Sequence, residues 1–410
     1  MRKKIMILGA SALQVPAIKK AKELGYEVIA VDYDENAVGF LLADIKLVVS
    51  TLDQEEVYRQ ALIYEPDFVI TSTSDGPVRT AAYVNEKLGK SPDLSYEDSK
   101  CATIKSYMRE RLKQCSVPIP EYYAVHNIEE FESAVEKLKG YCIVKPADNA
   151  GSRGVVLLNE GEKEQGKATA SSNVRQDRIE IYEYSKSNSR NGIVMVEEYM
   201  TGAEVSVEAM TVDGDTKILT ITDKYITPLP YFVEIGHSEP SNLDEKTQEK
   251  IKQVALQAVK AIRLKNGPSH TEIKITKDGP KIVELAARLG GDFITSRLVP
   301  LSTGIDMVGN SVVLATEGKV DLTKGQAQGA AIRFIQGVPG VITKITIDDG
   351  IQSVKGIEEY ILYKKEGDKV DGVKSSNDRL GHVIASGTTA SEAMQNANEA
   401  LNYIHIEIDS

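Results

Sequence analysis

The first ninety residues alternate between short apolar runs and longer amphipathic stretches. KIMILG (residues 4–9) reads as a buried strand, and a helix follows from about Gln14 to Leu24. YEVIAVDYD is a second strand, KLVVS a third, QEEVYRQALIY a helix and DFVITSTS a fourth strand, with another helix to about Leu88. Strand–helix alternation of this kind predicts a parallel, doubly wound, Rossmann-like lobe. The turn GASALQ after the first strand, with Asp32 ending the second, imitates a dinucleotide site but lacks the G-x-G-x-x-G spacing. Such a lobe can equally hold a small substrate at its strand ends.

The pattern then changes. A helix is expected over about Asp98–Gln114, before the stiff connector VPIP. IEEFESAVEKL reads as a helix, YCIVKP and GVVLLN as strands, and residues around Asp177–Tyr184 as a further helix. VMVEEYM, GAEVSVEAMTV and TKILTITDKYI read as successive antiparallel strands, and a long helix covers about Asp244–Leu264. Two strands follow, HTEIKI and KIVEL. After about Gly325 short strands (AAIRFI, VPGVITKI, EYILYKK, HVIASG) lead to the amphipathic helix ASEAMQNANEALNYI. The fold class expected is multidomain, α/β and α+β. Residues 1–95 form the Rossmann-like lobe, 96–325 the central domain with a subdomain at about 120–200, and 326–410 a small β-rich domain.

A chain of 410 residues fits two or three domains. Its formal charge of −11 argues against a nucleic-acid partner, which needs a basic footprint. The apolar runs fall far short of the roughly 20 residues of a membrane span, so no membrane partner is expected. MRKKIMILGAS starts basic, but Gly9 and Gln14 interrupt it, so it reads as structure rather than a signal peptide. Cys101, Cys115 and Cys142 are odd in number and lack paired metal spacing, which fits packing roles in a reduced, cytoplasmic compartment.

Candidate chemistry starts with the two strands HTEIKI and KIVEL, joined by TKDGP. Asp-Gly is a strong hairpin signal, and a register near symmetric about it sets Glu272 opposite or diagonal to Glu284. Facing carboxylates repel unless something positive lies between them. A divalent cation that also binds substrate phosphates would serve, and so would lysines such as Lys274 or Lys281. VKPADNAGSRGV (144–155) delivers Lys145 and a loop whose N–H groups can cradle phosphate, or it is an ordinary hairpin; it is not a Walker A loop. In VEEYMTGAEVSVE (196–208), Glu204, Ser206 and Glu208 share one strand face. Arg288 offers a planar fork for carboxylate or phosphoryl oxygens, with Asp292 as an alternative partner. His237 lies in VEIGHSEPSNL, read as a loop. His270 faces the same side as Glu272, and His126, His382 and His405 are read as structural.

Taken in order, Lys105 in KCATIKSYMRERL, IVKPADNAGSRGV, VEEYMTGAEVSVE, HTEIKI and VELAARLGG resemble the ATP-grasp superfamily over nearly the whole chain. ELAARLGGDFITS and STGID look closest to its amino-acid ligase branch. The resemblance implies ATP and Mg2+ (with Mn2+ as an alternative ion) and an ADP-forming C–N ligase that activates a carboxylate as an acyl phosphate for attack by an amine. It implies that Lys105 and Lys145 reach the phosphates, with Gly151, Ser152, Arg153 and Gly154 as their cover. Glu197, Glu198 and Met200 would form the adenine hinge, Glu204 the ribose acid, and Glu272 and Glu284 the metal carboxylates. Arg288 would act on the intermediate, and His237, Gly290 and Gly291 would contact substrate. One departure stands out: the pattern Glu-x-Asn-x-Arg is here Glu284-Leu285-Ala286-Ala287-Arg288, so the asparagine oxygen is missing. Partners expected are small-molecule carboxylates and amines, in a homodimer. Two alternatives remain open: a same-fold enzyme using bicarbonate or phosphoribosylamine, and a nucleotide-binding protein without turnover.

Overall fold

The computed structural model describes residues 2–409 except 91–92, 150, 152, 162–170, 229–231, 327 and 374, and the side chains of all described residues but 171–174. Strands β1 (Lys4–Leu8), β2 (Glu27–Asp32), β3 (Ile45–Val48) and β4 (Phe68–Thr71) form a parallel sheet in the order β3-β2-β1-β4. Helices α1 (Val15–Glu23) and α2 (Gln54–Tyr64) are its crossovers, and α3 (Gly76–Lys87) follows β4. One sheet face buries Met6, Leu8, Ile29 and Val31 against Val57, Ala61 and Val84. The other face, Ile5, Ile7, Val28 and Ala30, shares a core with Leu298, Met307, Ile332 and Phe334 from far along the chain. The doubly covered parallel sheet explains the near-continuous apolar runs.

The helix expected over Asp98–Gln114 is broken into α4 (Tyr96–Cys101) and α5 (Lys105–Gln114). Ile104 is extended, and the Lys105 N–H donates to the Ala147 carbonyl at 2.7 Å. That bond ties the start of α5 to the strand carrying Lys145, at the cost of helical continuity.

A four-stranded antiparallel sheet follows, in the order β5-β8-β6-β7: β5 (Tyr122–Val125), β6 (Tyr141–Pro146), β7 (Val156–Asn159) and β8 (Val194–Glu198). Helices α6 (Ile128–Lys137) and α7 (Ser171–Ser187) cover it, with Phe131 and Tyr182 in the shared core. The sequence pattern makes β8 the neighbour of the strand that follows it; here it pairs with β5 and β6 instead. Alternation alone cannot distinguish these pairings, because it sets faces and not partners.

The largest sheet has eight strands in the order β13-β12-β9-β10-β11-β14-β18-β16. It comprises β9 (Glu204–Val212), β10 (Asp215–Ile226), β11 (Glu234–Glu239), β12 (Gly267–Thr276), β13 (Gly279–Ala286), β14 (Gly329–Ile335), β16 (Ile357–Leu362) and β18 (Gly381–Gly387). A small sheet, β17-β15-β19, holds β15 (Gly340–Ile347), β17 (Lys369–Val370) and β19 (Ile404–Asp409). Helices α8 (Glu245–Ala261), α9 (Val299–Thr303), α10 (Met307–Ala315) and α11 (Ala390–Leu401) complete the chain. The large sheet runs straight through residue 325, so strands from both sides of that position share one surface. Residues 233–243 correct the loop reading: their Gly and Pro are turn signals, yet 234–239 are a buried strand held between β10 and β14.

The period of two puts Glu204, Ser206 and Glu208 of β9 on one sheet face. Register carries that face outward through His270 and Glu272 of β12, Thr222 and Lys224 of β10, and His237 of β11. This charged stripe positions the candidate site.

Candidate active site

A cleft of about 890 Å³ opens between the four-stranded sheet and the stripe. Lys105, Lys145 and Gly151 line one side; Glu198, Tyr199 and Met200 line the connection between the two sheets. Glu204, Lys224, Glu234, Glu272 and Glu284 form the floor, and Ile143, Ile226, Phe232 and Val283 supply apolar walls.

The hairpin reading holds: Glu272 and Glu284 are direct register partners on β12 and β13. Their counter-ions are not the lysines the sequence offered. Lys105 Nζ lies 2.8 Å from Glu284 Oε1, and also donates to the Asn149 carbonyl at 2.8 Å. Lys224 Nζ lies 3.2 Å from Glu272 Oε1, 2.8 Å from Glu204 Oε1 and 3.5 Å from Glu234 Oε1. Lys274 turns to Glu204 at 3.1 Å and Lys281 to Glu198 at 2.9 Å. Burial opposes the charge on Lys224, but Glu204, Glu272 and Glu234 outweigh it and hold the ammonium well above its ordinary range. The same balance of burial against Lys224 and His270 keeps Glu272 well below the carboxylate range.

Glu197 lines the same cleft with its side chain already engaged. Its buried side chain takes a bidentate bond from Arg109 (Nε 2.8 Å, Nη2 2.9 Å), and Lys145 Nζ approaches at 2.7 Å. Burial would raise this carboxyl, yet Arg109 and Lys145 depress it to about 2. Lys145 itself is lowered, because burial outweighs what Glu197 returns. Glu197 therefore orients Lys145, and any adenine contact at this position falls to backbone groups, Glu198, Tyr199 and Met200. Sequence reasoning missed Arg109, which follows Lys105 by four residues and so shares its helix face.

His270 Nδ1 lies 2.6 Å from Glu208 Oε1, and Nε2 lies 3.4 Å from Glu272 Oε1. Burial works against its charge, but Glu208 and Glu272 raise the imidazole to about 9. It buttresses Glu272. Ala286 is the register partner of His270, and its small side chain leaves room beside the imidazole. Gly290 has a related reason: a Cβ there would lie 2.8 Å from His270 Nδ1 and 2.9 Å from Glu208 Oε2. At Gly291 a Cβ would meet nothing within 4 Å.

Arg288 does not pair with Asp292. It forks onto Asp75 at the start of α3 (2.8 and 3.2 Å) and donates to its neighbour's carbonyl, Leu289, at 2.9 Å. Asp292 cannot serve it because the backbone turns left-handed at Asp292 (φ 51°) and Phe293 (φ 62°). Asp292 instead takes Arg379 from the C-terminal segment (2.8 and 2.9 Å) and His237 Nε2 at 3.3 Å. His237, 1 % exposed, is the register partner of Lys224 and lies beside the cleft rather than in its lining. Gly151 and Gly154 both have positive φ (67° and 76°). Arg153 is exposed, and Ser152 lies outside the described residues.

Among the described residues no group of three or more His, Cys, Asp or Glu forms a ready metal cage. The Glu272–Glu284 rung fits an ion that arrives with phosphate oxygens, since Mg2+ commonly uses one or two protein carboxylates in that setting.

Residues 138–296 match the ATP-grasp domain. Over those residues the chain is similar to the ATP-grasp domain. Residues 333–409 match the L-amino acid ligase C-terminal domain 2. The L-arginine-specific L-amino acid ligase of Bacillus subtilis is 26% identical over 319 residues, 77% of this chain and 74% of that protein. The alanine–anticapsin ligase of Bacillus subtilis strain 168 is 28% identical over 250 residues, 58% of this chain and 51% of that protein. The chain thus spans between about half and three quarters of these relatives' lengths. The crystal structure of L-amino acid ligase from Bacillus licheniformis superposes with a TM-score of 0.79 at 21% identity, covering 100% of both chains.

Proposed function

We propose that the chain is an ADP-forming ligase that joins a carboxylate to an amine through an acyl phosphate, with an amino acid as one substrate. The observation that carries this reading is the Glu272–Glu284 rung in the same cleft as Lys105 and Lys145. A carboxylate oxygen attacks the γ-phosphorus of ATP, and ADP leaves. The amine nitrogen then attacks the acyl carbon, the C–O bond to phosphate breaks, and the nitrogen loses a proton.

The residues divide that work. Lys105 and Lys145 meet the phosphates, with Gly151, Arg153, Gly154 and Ser152 as the cover. Glu198 and Met200 border the base and Glu204 the ribose. Residues of the acidic rung would hold a Mg2+ (or Mn2+) ion, which would supply charge neutralisation for the phosphates. Arg288, fixed by Asp75, offers a preorganised positive charge for the acyl phosphate. His237 and the open backbone at Gly291 border the substrate side.

A phosphate-release screen with Mg-ATP tests this across amino-acid pairs, bicarbonate and phosphoribosylamine. Release is expected only when an acid and an amine are both present, and Glu284→Gln should lower it by about 100-fold or more with the fold intact. Release driven by bicarbonate, or AMP and pyrophosphate as products, would overturn the reading.

A further inference from the structure

We propose that Lys224 is the permanent counter-cation of Glu272, so that the chain takes a single divalent ion with its nucleotide, held on the protein side by Glu284. This rests on the nucleotide-site reading above and decides which half of the acidic rung serves the ion.

The two carboxylates are not equivalent. Lys224 extends from a strand bonded on both sides, its side chain is only 4% exposed, and three carboxylates surround its Nζ. An ion on Glu272 would take one of the three carboxylates from this buried ammonium and set a second positive charge beside it, which is costly away from water. Glu272 is also met by His270, which approaches the same Oε1 at 3.4 Å and is itself fixed by Glu208. That oxygen is therefore contacted by two residues before any ion arrives.

Glu284 is different. Its side chain is 31% exposed, and its ion-pair partner is Lys105, which stands in the first turn of α5. Lys105 already shares its protons with the Asn149 carbonyl, so it can turn toward phosphate and leave Glu284 to a cation. Ala286, two residues on and on the same strand face, brings no third oxygen. One carboxylate is freed by the nucleotide, and one is kept by Lys224.

Counting bound Mn2+ tests this, using the EPR signal of free Mn2+ with saturating non-hydrolysable ATP analogue. The expected count is about one ion per wild-type chain. Glu284→Gln should weaken that ion by about tenfold or more, whereas Glu272→Gln should stay within about threefold of wild type. Lys224→Gln should admit a second ion, and Lys224→Gln with Glu272→Gln should return the count to about one. If Lys224→Gln fails to fold, the wild-type count and the Glu272/Glu284 pair decide. Two ions on the wild-type chain, or equal damage from the two glutamate variants, overturns the proposal while leaving the ligase reading standing. Failure of the analogue to bind the wild-type chain at all, with or without ion, overturns the ligase reading and the proposal together.

Discussion

At the cleft end of the charged stripe, acids are held by lysines, while at the far end Asp292 and Glu234 are held by the guanidinium of Arg379. Lys105 has a carbonyl as a second acceptor and a partner that is partly open to the cleft. Arg379 is 4% exposed, forks onto Asp292 at 2.8 and 2.9 Å, reaches Glu234 at 3.2 Å, and stacks 3.7 Å from the centre of the Phe334 ring. A lysine is a point charge that can change partners, whereas a forked and stacked guanidinium is fixed in direction. On the proposed function, the cleft end can exchange counter-ions when phosphate arrives. The far end is a latch that fastens the C-terminal segment to the stripe. Glu234 belongs to both, since Lys224 and Arg379 share it.

The sharpest way to break that contrast is to remove one cation from each end. Arg379→Met strands the Asp292 carboxylate, and chemical unfolding should show a loss of about 3 kcal/mol. Lys105→Met leaves Glu284 to the water of the cleft and should cost less stability than Arg379→Met, while nucleotide affinity falls by about tenfold or more. Equal stability losses would erase the distinction between latch and exchange site.

A separate effect concerns pH, through two groups on the stripe between the ends. Burial pushes the Glu239 carboxyl up to about 8, although Ser302 and Thr222 hydroxyls bond it. Its folded form keeps a proton that the unfolded chain loses above the ordinary carboxylate value of 4.5, so stability falls as pH rises from there to about 8. His270 is raised to about 9, so its contribution is fully present below its ordinary 6.5 and is lost as pH rises through about 9. Unfolding free energy should decline across this range, and Glu239→Gln should flatten the lower part while leaving the upper part. A decline unchanged in Glu239→Gln would show that this carboxyl is already ionised in the fold.

What was legible in the sequence had short range. The Asp-Gly turn fixed the register that set Glu272 against Glu284, and strand alternation put Glu204, Ser206 and Glu208 on one face. The partners that decide the site's electrostatics are distant: Arg109 and Glu197 are 88 residues apart, and Asp75 and Arg288 are 213 apart. Nothing in RERLK separates Arg109, wholly buried, from its solvated neighbours. Strand β11 was hidden for a related reason, because its Gly and Pro are local turn signals while its pairing comes from strands on either side. Ala286 read from sequence as a missing donor; in the fold it is also the register partner of His270.

The central claim, activation of a carboxylate by phosphorylation in the Glu284 cleft, is tested most directly by oxygen transfer. The acid substrate is labelled with 18O in its carboxylate, turned over with Mg-ATP and the amine, and the released phosphate is read by 31P NMR. The account predicts that each inorganic phosphate carries one 18O from the acid. Unlabelled phosphate, or label recovered in AMP, would contradict it.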